Sequence, residues 1–340
     1  MKIARTIDKS KITELLEAMA KKYRLFAPVE KDNITAFTEI DNAKDITLDF
    51  YNTKEPPKKI FLPQTETLFC YSKGQQHEVP AEADKRQRVI VGIRPCDAKA
   101  LTLLDNVFDA DDYKDPYYIE KRKNTVIFSL ACNRPQKSCF CTSFGIGPYA
   151  KQGCDVLMVD LGEKYLLETI TEKGQKLLET LKGLADAEDE DLAQAQQAAV
   201  GARDKVHRHL DTDGLAEKLD DMWDHSVWER LHERCLGCGV CTYLCPTCHC
   251  FDIADEAVGY DGRRVRNWDS CMFGAFTLEA SGHNPRPGGK ERMRQRIMHK
   301  FNYFVKNFGD CACVGCGRCM RNCPVNADIV GMIETIKNAK

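Results

Sequence analysis

Eight cysteines of this 340-residue sequence fall into two runs with identical spacing, and each run ends at a proline. The first run reads CLGCGVCTYLCP (residues 235–246) and the second reads CVGCGRCMRNCP (residues 313–324). The spacing C-x2-C-x2-C-x3-C-P is that of the bacterial ferredoxin ligands of [4Fe-4S] clusters. Zinc sites instead use two C-x2-C pairs separated by a loop. The two runs therefore predict two [4Fe-4S] clusters rather than zinc.

The fourth cysteine of each run is expected to ligate the cluster of the other run, as it does in two-cluster ferredoxins. The sequence accordingly predicts two ligand sets, each with three cysteines from one run and one from the other. They are Cys235, Cys238, Cys241 and Cys323 for the first cluster, and Cys313, Cys316, Cys319 and Cys245 for the second. This exchange would hold the two clusters close enough for electrons to pass between them.

Two further cysteines follow predicted strands in the N-terminal half. Cys96 comes after the strand RVIVGI and Cys132 after the strand NTVIFSL. Open α/β sheets collect their ligands beyond the carboxyl ends of their strands. If these two strands are parallel neighbours, both thiols lie at the same edge of the sheet.

The loop after Cys132 carries two more thiols. Pro135 is expected to turn this loop back, and Cys139 and Cys141 to point the same way from an extended stretch. Together with Cys96 and Cys132 they make four thiols, the number that a third [4Fe-4S] cluster needs. A third cluster, a zinc site and free thiols are the alternatives that the irregular spacing leaves open.

The other six cysteines have no ligand spacing of their own. Cys70 and Cys154 are expected to be ordinary buried cysteines. The remaining four are expected to be buried thiols near the clusters, with ligand roles as the alternative: Cys248, Cys250, Cys271 and Cys311. The nearby His249 and His283 are interpreted as structural residues.

The elements that must position these residues suggest an α/β N-terminal domain and a C-terminal α-helical ferredoxin-like domain with two [4Fe-4S] clusters. The predicted ranges are 1–165 for the α/β domain, 166–225 for a charged helical connector and 226–340 for the dicluster domain. Between the motifs, apolar residues recur at helical steps up to a stop at Gly309. Helices are therefore expected to fill the 67 residues between Cys245 and Cys313.

Positive charge is concentrated before the second motif. From Arg263 to Lys306 the chain has ten Arg or Lys against three acidic residues, although its formal net charge is only −2. Such cations would stabilise a negatively charged cluster and raise its potential. A docking patch for an acidic partner and a solvated helix face are the alternatives.

Composition and missing motifs limit the function. The near-neutral charge gives no indication of nucleic-acid binding, and no apolar run approaches a membrane span. Eighteen cysteines in a large chain without a predicted signal peptide indicate reduced or metal-bound thiols, and thus a cytoplasmic protein. No G-x-G-x-x-G follows a strand and no P-loop is present, so no flavin or NAD is expected in this chain.

Several stretches resemble one family of iron–sulfur subunits. They are CLGCGVCTYLCPTCHCFDI, RRVRNWDSCMF, ASGHNPRP, RMRQRIMHKFNY and CVGCGRCMRNCPVN, with FLPQTETLF, GIRPCDAKAL and CFCTSFG in the N-terminal half. The family includes an iron–sulfur subunit of anaerobic sulfite reductase and the β subunit of cytoplasmic sulfhydrogenases. The resemblance covers most of the chain and is weakest over 166–225.

The resemblance implies an electron-transfer subunit of an anaerobic oxidoreductase complex. Its implied partners are a ferredoxin-reductase-like subunit, which binds flavin and NAD(P), and a catalytic subunit of the hydrogenase, sulfite reductase or heterodisulfide reductase type. One alternative is a redox enzyme whose N-terminal domain itself binds flavin or substrate. A redox sensor would need a labile cluster and a DNA-binding helix-turn-helix, and the sequence indicates neither.

Overall fold

The computed structural model describes residues 3–72 and 86–340, which form two compact units. The described residues of the first unit are 3–57, 86–209 and 314–316, and those of the second are 58–72, 210–313 and 317–340. Both units are therefore discontinuous in sequence. Residues 314–316 come from the second cysteine motif but belong to the first unit.

Strands predominate in the N-terminal half of the chain, and helices predominate after it. The strands are β1 (Ala4–Asp8), β2 (Arg24–Lys31), β3 (Ile34–Glu39), β4 (Thr65–Ser72), β5 (Arg88–Ile93), β6 (Thr125–Leu130), β7 (Val156–Asp160), β8 (Lys164–Thr169), β9 (Ala185–Asp186), β10 (Phe251–Val258) and β11 (Asp261–Trp268). The helices are α1 (Ile12–Lys22), α2 (Pro95–Phe108), α3 (Pro116–Lys123), α4 (Glu172–Thr180), α5 (Asp189–Asp204), α6 (Leu215–Asp221), α7 (Val227–His232), α8 (Val240–Tyr243), α9 (Gly289–Met298), α10 (Phe304–Phe308), α11 (Arg318–Arg321) and α12 (Ile329–Lys337).

The first unit is built on an eight-stranded mixed sheet with the order β3-β2-β5-β6-β7-β8-β1-β9. Strands β2, β5, β6 and β7 are parallel, and the other neighbours pair antiparallel. Every residue of β5 and β6 is buried, as expected for central parallel strands covered on both faces. The two strands that precede Cys96 and Cys132 are parallel neighbours, which is the condition under which both thiols lie at the same edge of the sheet.

Helix α2 begins directly after β5 and fixes the position of Cys96. Pro95 occupies the first helical turn, where a missing N–H costs nothing and the fixed φ suits the helix. Cys96 follows the strand as expected and already lies within the first turn of α2. The thiol therefore sits at the positive end of a helix dipole.

The second unit contains a three-stranded antiparallel sheet with the order β10-β11-β4. The prediction that helices fill the gap between the motifs is wrong over residues 251–268, which form the β10–β11 hairpin. The outer part of this hairpin is exposed, and it pairs charges such as Asp255 with Arg264 across the strands. It therefore lacks the alternation of apolar residues that would indicate a half-buried strand.

The helical part of the gap is confirmed. Helix α9, a π-helical segment from His299 to Tyr303 and helix α10 follow one another without interruption. The helix ends at Gly309, whose φ of 74° is left-handed and favours glycine. Of the apolar residues at helical steps, Phe308 is exposed and the others are buried: Met293, Ile297, Phe301 and Phe304.

Residues 166–225 belong to both units. They complete β8 and provide α4, β9 and α5 to the first unit, and they provide α6 to the second. In the described part of the chain, no helix is both long and apolar enough to cross a membrane.

Candidate metal centres

One cleft of the second unit is lined by thiols from both motifs. The structure brings together Cys235, Cys238, Cys241 and Cys323, and Cys319 lines the same cleft. The rest of the lining is almost entirely apolar, with Met272 and Met293 nearly inaccessible to water. Arg296 is the charged residue of this lining. Thiolate ligands, apolar walls and a compensating cation fit a negatively charged iron–sulfur cluster.

Glycines shape the loop that carries the first three of these thiols. Gly237 and Gly239 have left-handed φ values of 66° and 72°. A side chain at Gly239 would approach the ring of Phe273 to 2.8 Å, so the loop also requires a small residue there. The Gly237 N–H donates to Cys235 Sγ at 3.4 Å. Backbone donors to sulfur of this kind stabilise thiolates.

This first cleft reaches the protein surface. Cys238 is exposed, and the neighbouring Leu236 has 68% of its surface exposed. The Ala327 N–H donates to Cys323 Sγ at 3.2 Å. The cleft therefore combines an exposed thiol at Cys238 with the buried side chains of Met272 and Met293.

The cysteines predicted for the second cluster are distributed over both units. Cys245, Cys313 and Cys319 belong to the second unit, and Cys316 belongs to the first. A hydrogen bond from Cys248, together with the positive charges of Lys300 and Arg296, holds the pKa of the Cys245 thiol well below its usual range. Cys245 is thus prepared for the thiolate form that a metal ligand needs.

The four N-terminal thiols converge on one cavity of the first unit. Strands β5 and β6 end side by side and deliver Cys96 and Cys132 to it, and Cys139 and Cys141 come from the following loop. The prediction of an extended stretch at Cys139–Cys141 is wrong, because Cys141 begins a short 3₁₀ helix. Phe140, which is 1% exposed, anchors this turn in the core.

The N-terminal cavity is electrostatically suited to a negatively charged group. Arg94 is 6% exposed and faces Cys132 and Cys96, and its guanidinium donates to the carbonyls of Ala131 and Tyr51 at 2.9 and 3.0 Å. Burial raises the pKa of the Cys141 thiol to about 12, so this thiol keeps its proton until a metal replaces it. The donor set is all sulfur, which suits iron–sulfur clusters.

The second motif contributes a fifth thiol to this cavity, which the cysteine spacing does not predict. Cys316 lines the cavity, and its carbonyl oxygen accepts a hydrogen bond from Asn52 Nδ2 at 2.9 Å. The Phe140 N–H donates to the Gly315 carbonyl at 2.9 Å. A Cβ at Gly315 would lie only 2.5 Å from the Cys141 nitrogen. The glycine of C-V-G-C is thus required by this close approach as well as by its φ of 61°.

A third, smaller cavity in the second unit gathers thiols outside both motifs. Cys248, Cys250 and Cys271 line it together with His249 and His299. Cys271 forms a buried cluster with Met272 and Met293, and Cys250 packs against this cluster, as do Cys235 and Cys241 of the first motif. Cys250 and Cys271 therefore lie near the first motif, as expected. A hydrogen bond from Cys271 lowers the pKa of Cys250 to about 6. Burial lowers the pKa of His249 to about 4 and that of His299 to about 3, so both rings are neutral.

The remaining sequence expectations have mixed outcomes. Cys154 is buried as expected, but the expectation of a buried Cys70 is wrong, because Cys70 is exposed on β4. Cys311 is half-buried, and His283 is exposed. Among the residues that the structure describes, no three His, Cys, Asp or Glu side chains group as ligands of a single metal ion.

Comparison with known proteins agrees with the thiol-lined clefts. Residues 234–327 match the family described as 4Fe-4S dicluster domain. Over 316 residues the chain is 33% identical to sulfhydrogenase 2 subunit beta of Pyrococcus furiosus, covering 92% of each protein. No solved structure matches the chain. This chain therefore belongs to the sulfhydrogenase β-subunit family of iron–sulfur proteins.

Proposed function

We propose that this chain is an electron-transfer subunit of a multi-subunit oxidoreductase of the sulfhydrogenase type. The observation that carries this proposal is the first cleft, where thiols of both motifs meet between apolar walls. Its lining offers thiols as cluster ligands, and the other side chains that line it are apolar apart from Arg296. The family relationship supports the same function.

In this proposal the C-terminal part of the chain holds two [4Fe-4S] clusters in an α-helical ferredoxin-like arrangement. The ligand sets are those of the exchanged motifs, with Cys323 serving the first cluster and Cys245 the second. When bound, each cluster takes up and releases one electron at a time. The chain supplies the thiolates, donates N–H groups to sulfur at Gly237 and Ala327, and excludes water with Met272 and Met293.

We also assign a third cluster to Cys96, Cys132, Cys139 and Cys141. Three features of the first unit support it: the convergence of the four thiols, the start of α2 at Cys96 and the buried cation Arg94. Zinc would use the same thiols, so the metal must be identified directly. In this proposal the clusters pass electrons between two partner subunits. One partner is a catalytic subunit, and the other binds flavin and NAD(P). We place the complex in the cytoplasm.

One observation favours the alternative that the N-terminal part itself binds flavin or substrate. A groove of about 850 Å³ lies between β7, β8 and α5, and Gly147 and Pro148 line both this groove and the thiol cavity. The groove is large enough for a cofactor-sized ligand. It lacks a glycine-rich phosphate loop, however, so we retain the electron-transfer function as the conclusion.

The test uses the full-length chain reconstituted with iron and sulfide in the absence of oxygen. We expect broad visible absorbance, about four irons per cluster and EPR signals on reduction. We also expect no flavin in the supernatant after acid denaturation, and no hydrogen or sulfur turnover without partner subunits. Stoichiometric flavin would support the alternative, and turnover by the isolated chain would contradict the proposed function.

A further inference from the structure

A buried lysine contacts a predicted cluster ligand directly. Lys300 is 3% exposed, and its ammonium group donates to Cys245 Sγ at 3.3 Å, to Thr247 Oγ1 at 3.0 Å and to the Ala312 carbonyl at 2.8 Å. An ammonium has three N–H donors, so these three acceptors account for all of them. None of the three is a carboxylate.

Because none of these acceptors is a carboxylate, the counter-charge for the Lys300 ammonium must come from elsewhere, and Cys245 is the candidate. A buried cation without a counter-charge is strongly unfavourable. Of the three acceptors, the sulfur of Cys245 is the one that can carry a negative charge. The burial of Lys300 is therefore stabilised when Cys245 is a thiolate, which is its state as a cluster ligand.

Two more buried cations lie around the same segment. Arg296 is 5% exposed, and its Nη1 lies 3.9 Å from Cys248 Sγ. Lys58 is 3% exposed, donates to the Cys248 carbonyl at 2.6 Å and lies over the Trp268 ring. Three buried positive charges next to two cysteines indicate a negatively charged group at this position. Part of the positive charge before the second motif is thus neither a solvated face nor available for docking.

The local helix geometry places Lys300 in this position. Lys300, Phe301 and Asn302 are consecutive buried residues within the π-helical segment between α9 and α10. A π-helical turn widens the helix and is often found at functional sites. The Lys300 ammonium donates to both Thr247 and Ala312, which lie just after the first cysteine motif and just before the second. It thereby connects the π-helical turn to both motifs.

We propose that Lys300 sets the reduction potential of the cluster that Cys245 ligates, by donating a charge-assisted N–H···S hydrogen bond to that ligand. This inference rests on the proposed function. Reduction adds one electron to the cluster and needs no proton from Lys300, whose ammonium stabilises the added negative charge. The ammonium stabilises the reduced cluster, which carries one more negative charge, more than it stabilises the oxidised cluster. Lys300 therefore raises the reduction potential. Lys300 is a positioning and tuning residue, since it acts through Cys245.

The test is an EPR-monitored redox titration of the full-length reconstituted chain and three variants, with iron quantified in each. In Lys300→Met, we expect one cluster to shift to lower potential. At the wild-type midpoint of that cluster, the ratio of reduced to oxidised form should fall about tenfold, which is ~59 mV for one electron. Lys300→Arg keeps the positive charge and the N–H donors, so its midpoint potential should lie close to that of the wild type.

The matched control is Lys306→Met in the adjacent helix α10. Lys306 is exposed and pairs with Asp220, so its loss should leave every midpoint unchanged. Full iron content with unchanged midpoints in Lys300→Met would overturn this inference and leave the proposed function intact. A wild-type chain that takes up no iron would overturn both.

A second measurement needs no substitution. The wild-type chain labelled with ¹⁵N at the lysine side chains should show a ¹⁵N coupling to one reduced cluster by pulsed EPR. This coupling should persist in the Lys306→Met variant. A fully loaded chain without any lysine ¹⁵N coupling would contradict the hydrogen bond, even if Lys300→Met fails to fold.

Discussion

The thiol of Cys323 lines the same cleft as Cys235, Cys238 and Cys241, although it belongs to the other motif. Spacing alone predicts these four thiols as one ligand set, because the fourth cysteine of such a run ligates the cluster of the other run in two-cluster ferredoxins. Spacing could not predict Cys316 in the N-terminal cavity or Lys300 beside Cys245, because both contacts depend on residues far away in sequence. At the residue scale, the sequence therefore predicts candidate ligands but not the residues that surround them.

Replacing Cys323 with serine tests the exchange of ligands. We expect Cys323→Ser to lose or convert the cluster held by Cys235, Cys238 and Cys241, with the loss of up to about four irons. EPR and iron analysis would measure it. The exposed Cys70 provides the control, since Cys70→Ser should keep all clusters. Loss confined to the cluster of Cys313 would contradict the exchange.

Gly315 provides a second prediction at this scale. Gly315→Ala should cost about 1–2 kcal/mol from left-handed strain, and roughly 1–3 kcal/mol more from the overlap with Phe140 and Cys141. Gly145 has a similar φ of 63° but nothing within 4 Å of its Cβ position, so Gly145→Ala carries the strain alone. Urea unfolding of both variants separates the two contributions. Equal destabilisation would show that the close approach at Gly315 is unimportant.

Among the elements, the parallel strands β5 and β6 were the easiest to predict. Their continuous apolar runs are typical of buried strands, and their ends place Cys96 and Cys132 together. The hairpin β10–β11 was missed because its pattern is charged on its exposed part. Its pairing with β4 could not be predicted either, because about two hundred residues of sequence separate them. Cross-strand ion pairs, rather than apolar alternation, characterise this sheet.

One of these ion pairs is buried and should matter for stability. Arg266 on β11 lies opposite Glu66 on β4, and their side chains are only 3% and 9% exposed. Removing one partner of a buried pair leaves an uncompensated charge, so Glu66→Gln should destabilise the second unit by about 3 kcal/mol or more. Chemical unfolding measures this loss.

The matched control is the exposed pair of Arg263 and Glu256 in the same hairpin, with side chains 53% and 50% exposed. Exposed pairs contribute only about 0–1 kcal/mol. Glu256→Gln should therefore have little effect. A similar small effect of both substitutions would contradict the structural importance of the buried pair.

For the whole molecule, 13 of the 18 cysteines line one of three cavities: the first cleft, the N-terminal cavity and the small cavity near Lys300. The general division into an α/β part and a dicluster part was accessible from sequence, because strand patterns and cysteine motifs separate clearly along the chain. The sequence did not indicate that residues 58–72 belong to the second unit or that residues 314–316 belong to the first. Such exchanges depend on tertiary contacts that leave no local pattern.

Iron and acid-labile sulfide quantified in the unmodified full-length chain, handled without oxygen, decide whether this chain carries clusters for electron transfer. We expect about twelve irons and about twelve sulfides per chain, four for each of three clusters, with zinc absent. About eight irons and eight sulfides per chain would support the electron-transfer function with two clusters and would contradict the third cluster. Fewer than about four irons, or zinc in place of iron, would contradict the electron-transfer function.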